Sequence, residues 1–181
     1  MDSWLLSPGG TVTGELRVPG DKSISHRALM LGSIAEGPSH VSGLLEGEDC
    51  LATLRAMRHL GIEVRRPGPG EVIVNGAGLT GLSAPATALD MGNAGTAMRL
   101  LMGLLSAQPF DSELIGDESL MRRPMERVAA TLREMGAEIE TLEGRPPVRI
   151  GACPGLNGIR YEKPVASAQV KSALLLAGVA A

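Results

Sequence analysis

Three stretches of this 181-residue chain combine small polar residues with cations in a pattern suited to holding anions. Lys22, Ser23 and Ser25 precede Arg27; Asn93, Gly95 and Thr96 precede Arg99; Ser167 and Gln169 precede Lys171; Arg123 supplies a further cation between the second and third. Hydroxyl, amide and glycine positions let an oxyanion approach backbone N–H groups closely, and a full charge beside them strengthens the hold. The chemistry implied is recognition of a polyanion, most naturally phosphate together with carboxylate. A blander reading stands beside each residue. Ser23, Gly95 and Ser167 are also ordinary helix-start residues, small residues also let helices pack, and structural pairing is expected for Arg99 and Lys171. The threefold coincidence favours a site.

The elements that carry these residues repeat. Ser23 to Met30, Gly95 to Met102 and Ser167 to Leu174 align at a constant offset, with Arg27, Arg99 and Lys171 in equivalent positions. A second series, Leu54 to Val64 and Ala129 to Ile139, lies between them, and short β-rich runs follow each, Glu71–Val74 and Val148–Ile150. One unit therefore reads helix, strand, helix, strand, strand. In the first unit the helix starts near Ser23 and a strand is predicted over Val41–Leu45. A second helix over Glu48–Leu60 stops at Gly61, a residue type that favours helix ends, and strands follow at Ile62–Arg65 and Val72–Val74. The third unit starts at Ser167 and its covering strands are missing.

The two helix types differ. Val128, Leu132 and Met135 recur at helical spacing with Arg127, Arg133 and Glu134 elsewhere, the pattern of an amphipathic outer helix. Leu100 to Leu105 and Ala173 to Ala177 are apolar nearly all round, so burial on every side is predicted for the first helix of each unit. Such helices leave their first N–H groups unpartnered, with the positive end of the macrodipole there. Equivalent helices in stacked units point the same way. Three positive ends are thus expected on one surface.

Composition removes other functions. Seventeen Lys and Arg against twenty Asp and Glu give a net charge of −3, unlike the basic footprint of a nucleic-acid binder. Trp4, Phe110 and Tyr161 are too few for a base-stacking platform. No apolar run spans a bilayer, no signal-type stretch follows Met1, and a cytoplasmic protein is expected. Cys50 and Cys153, with His26, His40 and His59, match no metal-ligand spacing. Gly20-Asp21-Lys22-Ser23 superficially echoes the end of a P-loop, but Asp21 interrupts the Gly-Lys step and Glu15 stands where the first glycine belongs.

Four motifs in order give the chain a resemblance to the 5-enolpyruvylshikimate-3-phosphate synthase family. They are Pro19-Gly-Asp-Lys-Ser-Ile-Ser-His-Arg27, Gly92-Asn-Ala-Gly-Thr-Ala-Met-Arg99, Asp117-Glu-Ser-Leu-Met-Arg-Arg-Pro-Met125 and Pro164-Val-Ala-Ser-Ala-Gln169. The resemblance implies a mixed α/β fold of repeated βαβαββ units around buried parallel helices, the enolpyruvyl transferase α–β prism, here incomplete. It implies that residues 1–19 form a strand of a second domain that is mostly absent, and that residues 20–181 form two units and the start of a third. It implies transfer of the enolpyruvyl group of phosphoenolpyruvate to the 5-hydroxyl of shikimate 3-phosphate, with release of phosphate and no metal or organic cofactor. Lys22 would touch both substrates and handle protons, for which lysine suits because its pKa is easily moved. Ser23, Arg27, Ser167 and Gln169 would hold shikimate 3-phosphate, with Gln169 also close to phosphoenolpyruvate. Gly95 and Arg123 would bind phosphoenolpyruvate, with Asn93 shaping that loop. Arg27 and Arg123 read as clamps. Ala168 belongs to the same motif, where some members have Ser, and Leu100 stands where some have Pro.

Members are more than twice this length, so the chain is expected to be a fragment, inactive alone, lacking the general base of the second domain; the complete protein is expected to be a monomer. Two alternatives remain open on the sequence. One is a sister transferase acting on a UDP-amino sugar, whose first motif usually carries Lys-Asn in place of Lys22-Ser23. The other is a non-catalytic module binding phosphate and carboxylate.

Overall fold

Asp21, rather than Ser23, caps the first helix: its carboxylate accepts the Ile24 N–H at 2.7 Å, and α1 runs Lys22–Ile34. The computed structural model describes residues 3–5, 7–153, 155–162 and 166–179. β1 (Glu36–Ser42) follows α1 at once, then α2 (Glu48–His59), β2 (Glu63–Gly68) and β3 (Glu71–Ala77). The three strands form an antiparallel sheet in the order β1-β3-β2, with Glu36 opposite Ala77 and Val64 opposite Val74. α2 carries Glu48 and Asp49 in its first turn and Arg58 and His59 in its last, complementing the macrodipole at both ends.

The strand expected over Val41–Leu45 lies at Glu36–Ser42. Its Glu-Gly-Pro-Ser-His stretch shows no apolar alternation because β1 is an edge strand with mostly exposed side chains. Pro38 fits there because β1 pairs on one side only.

The second unit holds β4 (Leu89–Asp90), α3 (Gly95–Leu105), β5 (Ser112–Ile115), α4 (Glu118–Met121), α5 (Glu126–Glu134), β6 (Ile139–Leu142) and β7 (Arg145–Ile150). Its sheet has the order β4-β5-β7-β6, with β4 parallel to β5 and the other pairs antiparallel. The short β4 and the single-turn α4 were not expected. Pro146 and Pro147 fall within the register shift between β6 and β7, where the ladder needs no donor from them. α6 (Ala168–Val179) opens the third unit.

The core does not treat the three first helices alike, which corrects the expectation of burial on every side. α3 meets it, with Met98, Leu100, Leu101, Met102, Leu104 and Leu105 all inaccessible. α1 exposes Ile24 and Leu31, and α6 exposes Leu175 and Val179. α3 packs against α2, α5 and α6, whereas α6 packs against α3 and α5 and α1 against α2 and the first sheet. The α3–α6 contact is close because Gly103 has no side chain. A Cβ there would lie 2.0 Å from the Ala173 carbonyl oxygen. The fold is thus a mixed α/β arrangement of two helix–strand–helix–hairpin units and the first helix of another. The described residues before Gly20 carry no helix or strand, and Trp4, Leu5, Val12, Leu16 and Val18 project into solvent. Among the described residues no helix is long and apolar enough to cross a membrane.

Candidate functional site

The starts of α1, α3 and α6 come together. From α1, Arg27 donates through Nη1 to the Ser23 carbonyl at 2.9 Å and through Nη2 to the Ser172 hydroxyl of α6 at 2.6 Å. From α6, Gln169 donates through Nε2 to the Thr96 hydroxyl of α3 at 2.9 Å and accepts at Oε1 from Arg99 at 3.0 Å. Side chains only a turn or so from each start bridge the three helices, so their N-terminal ends share one surface.

The starts are capped differently. At α1 the Asp21 carboxylate takes the cap, which frees the exposed Ser23 hydroxyl from that duty. At α6 the Ser167 hydroxyl accepts the Val170 N–H at 3.3 Å, the ordinary capping role weighed in the sequence. At α3 the cap residue is Ala94 and no side chain closes the turn. The middle helix therefore presents N–H groups without a side-chain partner, beside a glycine.

Gly95 is hemmed in by guanidinium groups. A Cβ on it would lie 3.1 Å from Arg123 Nη1 and 3.3 Å from Arg99 Nη1. Arg123 is fixed by a relay: the Asn93 side-chain oxygen accepts from its Nη2, and Asn93 Nδ2 donates to Asp117 Oδ2 at 2.8 Å. Asp117 also caps α4 by accepting the Leu120 N–H at 2.8 Å, and these donors hold its carboxyl below the usual carboxylate range. Arg99 is half-buried, and burial, reinforced by Arg123 and Arg127, weakens its hold on its proton. Among the described residues, Arg27, Arg99 and Arg123 form no ion pair. Around Gly95 the guanidinium groups meet no carboxylate directly, and Asp117 faces Arg123 only through Asn93, an arrangement that leaves room for an anionic ligand.

Lys22 is the exception among these cations. Its Nζ sits 2.8 Å from Asp49 Oδ2 on the first turn of α2, and this contact raises its pKa above the ordinary lysine value. The Arg123 charge reaches it weakly and pulls the other way. Behind it, His26 is fully buried, with Nδ1 2.8 Å from the Thr53 hydroxyl and Nε2 without a partner. Burial lowers its pKa, and Lys22 and Arg27 add to the effect while Asp49 opposes it.

All the residues singled out in the sequence lie on or beside this surface: Lys22, Ser23 and Arg27 on α1; Asn93, Gly95 and Arg123 around α3; Ser167, Ala168 and Gln169 at α6. Pro164 and Val165 of the fourth motif lie outside the described residues. Arg99 is paired structurally as expected, although with carbonyl and amide oxygens rather than an acid; Lys171 is exposed instead. Sequence reasoning missed Asp49 and Ser172. Asp49 reads as an acid in a helix first turn, favourable for the dipole alone. A groove of about 890 Å³ lined by Glu113, Arg133, Glu138 and Arg149, among others, includes none of these residues.

The model of one family, EPSP synthase (3-phosphoshikimate 1-carboxyvinyltransferase), matches residues 6–181. The chain belongs to the EPSP synthase family. It is 57% identical over 175 residues to the 3-phosphoshikimate 1-carboxyvinyltransferase of Hydrogenovibrio crunogenus, covering 96% of this chain and 39% of the relative. With that of Methylococcus capsulatus it shares 59% over 173 residues, covering 95% and 40%. An EPSP synthase structure from Acinetobacter baumannii superposes with a TM-score of 0.90 at 59% identity, over 93% of this chain and 38% of that one. The chain thus spans about 40% of the length of EPSP synthase relatives it matches.

Proposed function

We propose that this chain supplies the shikimate 3-phosphate and phosphoenolpyruvate contacts of a transferase that moves the enolpyruvyl group of phosphoenolpyruvate to the 5-hydroxyl of shikimate 3-phosphate. The carrying observation is the joined starts of α1, α3 and α6, with three guanidinium groups that lack a direct acidic partner among the described residues and a helix end at Gly95 that no side chain caps. Two multiply charged anions must be brought together, so fixed cations and helix starts contribute more than an activated nucleophile.

In this reading Ser23, Arg27, Ser167 and Gln169 hold shikimate 3-phosphate, and Gly95 and Arg123 hold phosphoenolpyruvate, with Asn93 aiming Arg123 and Gln169 lying between the two ligands. Ala168 offers its backbone at the start of α6. The substrate 5-hydroxyl adds to C2 of phosphoenolpyruvate while C3 gains a proton; inorganic phosphate then leaves C2 and C3 gives a proton back. Lys22, kept protonated by Asp49, acts as a cation and a proton donor. Residues 1–19 would serve as a strand of a second domain, which would also bring the general base; the exposed apolar side chains from Trp4 to Val18 support that assignment. The complete protein would act as a cytoplasmic monomer.

The test is phosphate release from the two substrates, assayed with the complete polypeptide and with this chain alone. Turnover by the complete form, and ligand binding without turnover by the chain alone, are expected. Turnover by the chain alone would contradict the requirement for a second domain, and binding without turnover by the complete form would support a non-catalytic module.

A further inference from the structure

Arg99 donates to three acceptors on three segments that each carry a site residue. Nη1 lies 3.3 Å from the Gly95 carbonyl and 3.0 Å from Gln169 Oε1, and Nη2 lies 2.7 Å from the Pro124 carbonyl. Gly95 opens α3, Gln169 lies in the first turn of α6, and Pro124 follows Arg123 directly. Gln169 is in turn held at its other end by Thr96, one residue beyond Gly95. One planar guanidinium therefore ties the α6 start and the Arg123 segment onto the first turn of α3, without help from any carboxylate among the described residues.

We propose that Arg99 is a positioning residue that sets the separation of Gln169 and Arg123 across Gly95, and so the width of the phosphoenolpyruvate subsite. This inference rests on the functional reading above. Three of the five guanidinium donors are engaged by protein oxygens, and the contacts that reach the site run through Gln169 and the segment of Arg123. Arginine is needed because its fork reaches acceptors in one plane at fixed angles. A lysine ammonium in its place keeps the charge, but its compact head on a flexible stem cannot hold the same three oxygens. Charge and geometry are thereby separable.

The experiment compares wild type, Arg99→Lys, Gln169→Ala and the double variant in the complete polypeptide, measuring kcat and KM for each substrate. Wild-type turnover decides the functional reading by itself; the variant-to-wild-type ratios decide the inference. For Arg99→Lys, KM for phosphoenolpyruvate is expected to rise about tenfold or more, with a smaller fall in kcat and a smaller change in KM for shikimate 3-phosphate. Its effect and that of Gln169→Ala are expected to be strongly non-additive. Near-normal KM in Arg99→Lys, meaning rescue by charge alone, would overturn the inference, as would additive effects. Should Arg99→Lys fail to fold, Thr96→Val cuts the second tether of Gln169 while sparing Arg99. A rise in KM for phosphoenolpyruvate of a few-fold is then expected, and an unchanged value overturns the proposal.

Discussion

Lys22 Nζ and Asp49 Oδ2 lie 2.8 Å apart and join the first turn of α1 to the first turn of α2. The lysine side chain is about half exposed, so solvent screens the pair and its worth to stability is small, about 0–1 kcal/mol. Its consequence is chemical. Asp49 favours the charged amine and raises the lysine pKa, so in the proposed reaction Lys22 would enter as a proton donor.

Replacing Asp49 by Asn removes the raising contact, so the Lys22 pKa falls towards its ordinary value. The alkaline limb of the pH–rate profile of the complete enzyme is expected to move to lower pH. Thermal stability should change by no more than about 1 kcal/mol. An unchanged alkaline limb would separate Lys22 from the proton-handling step.

Lys22→Met should abolish turnover in the complete enzyme while weakening shikimate 3-phosphate binding only modestly, because Ser23, Arg27, Ser167 and Gln169 remain. Steady-state rates together with calorimetric titration of shikimate 3-phosphate check this. A near-normal kcat would refute the role.

Gly95 and Gly103 lie on the same helix, yet their replacement should have opposite consequences. At Gly95 the atoms a Cβ would meet first are the far ends of Arg123 and Arg99. Gly95→Ala should therefore fold normally but displace both guanidinium groups, raising KM for phosphoenolpyruvate more than that for shikimate 3-phosphate. At Gly103 the obstruction is the Ala173 backbone at 2.0 Å. Gly103→Ala should push α6 away and cost about 1–3 kcal/mol, read as a lower midpoint in denaturant.

His26 makes stability depend on pH. Its pKa is lowered in the folded state, so below the ordinary histidine value of about 6.5 the unfolded chain binds more protons than the native one. Stability is expected to fall as pH drops through about 6.5 and to level off below the native value. His26→Asn should flatten that part of the curve in thermal melts recorded across pH. An unaltered slope would assign the acid sensitivity to other groups.

Much of this was legible in the sequence, for identifiable reasons. The repeat showed because Arg27, Arg99 and Lys171 recur at one offset, and α2 and α5 showed because each has one apolar face. β1 was misplaced because an edge strand needs no alternation, and the Glu36–His40 stretch with its Gly37 and Pro38 carries no strand signal. Equal burial of α1, α3 and α6 did not follow from the repeat, because α1 is more polar than the other two and because position among neighbours decides exposure for α6, which is as apolar as α3. Convergence at the helix starts was readable, whereas the acid beside Lys22 was not. Asp49 is 27 positions away and comes near only because α1 and α2 pack side by side.

Backbone amide shifts, followed in the complete polypeptide as shikimate 3-phosphate and then phosphoenolpyruvate are added, test the shared anion surface most directly. Amides at Ser23, Gly95 and Ala168 should all respond, and those moved by one ligand should titrate with one affinity. Responses confined to a single helix start, or unequal affinities among the three for the same ligand, would contradict a common site.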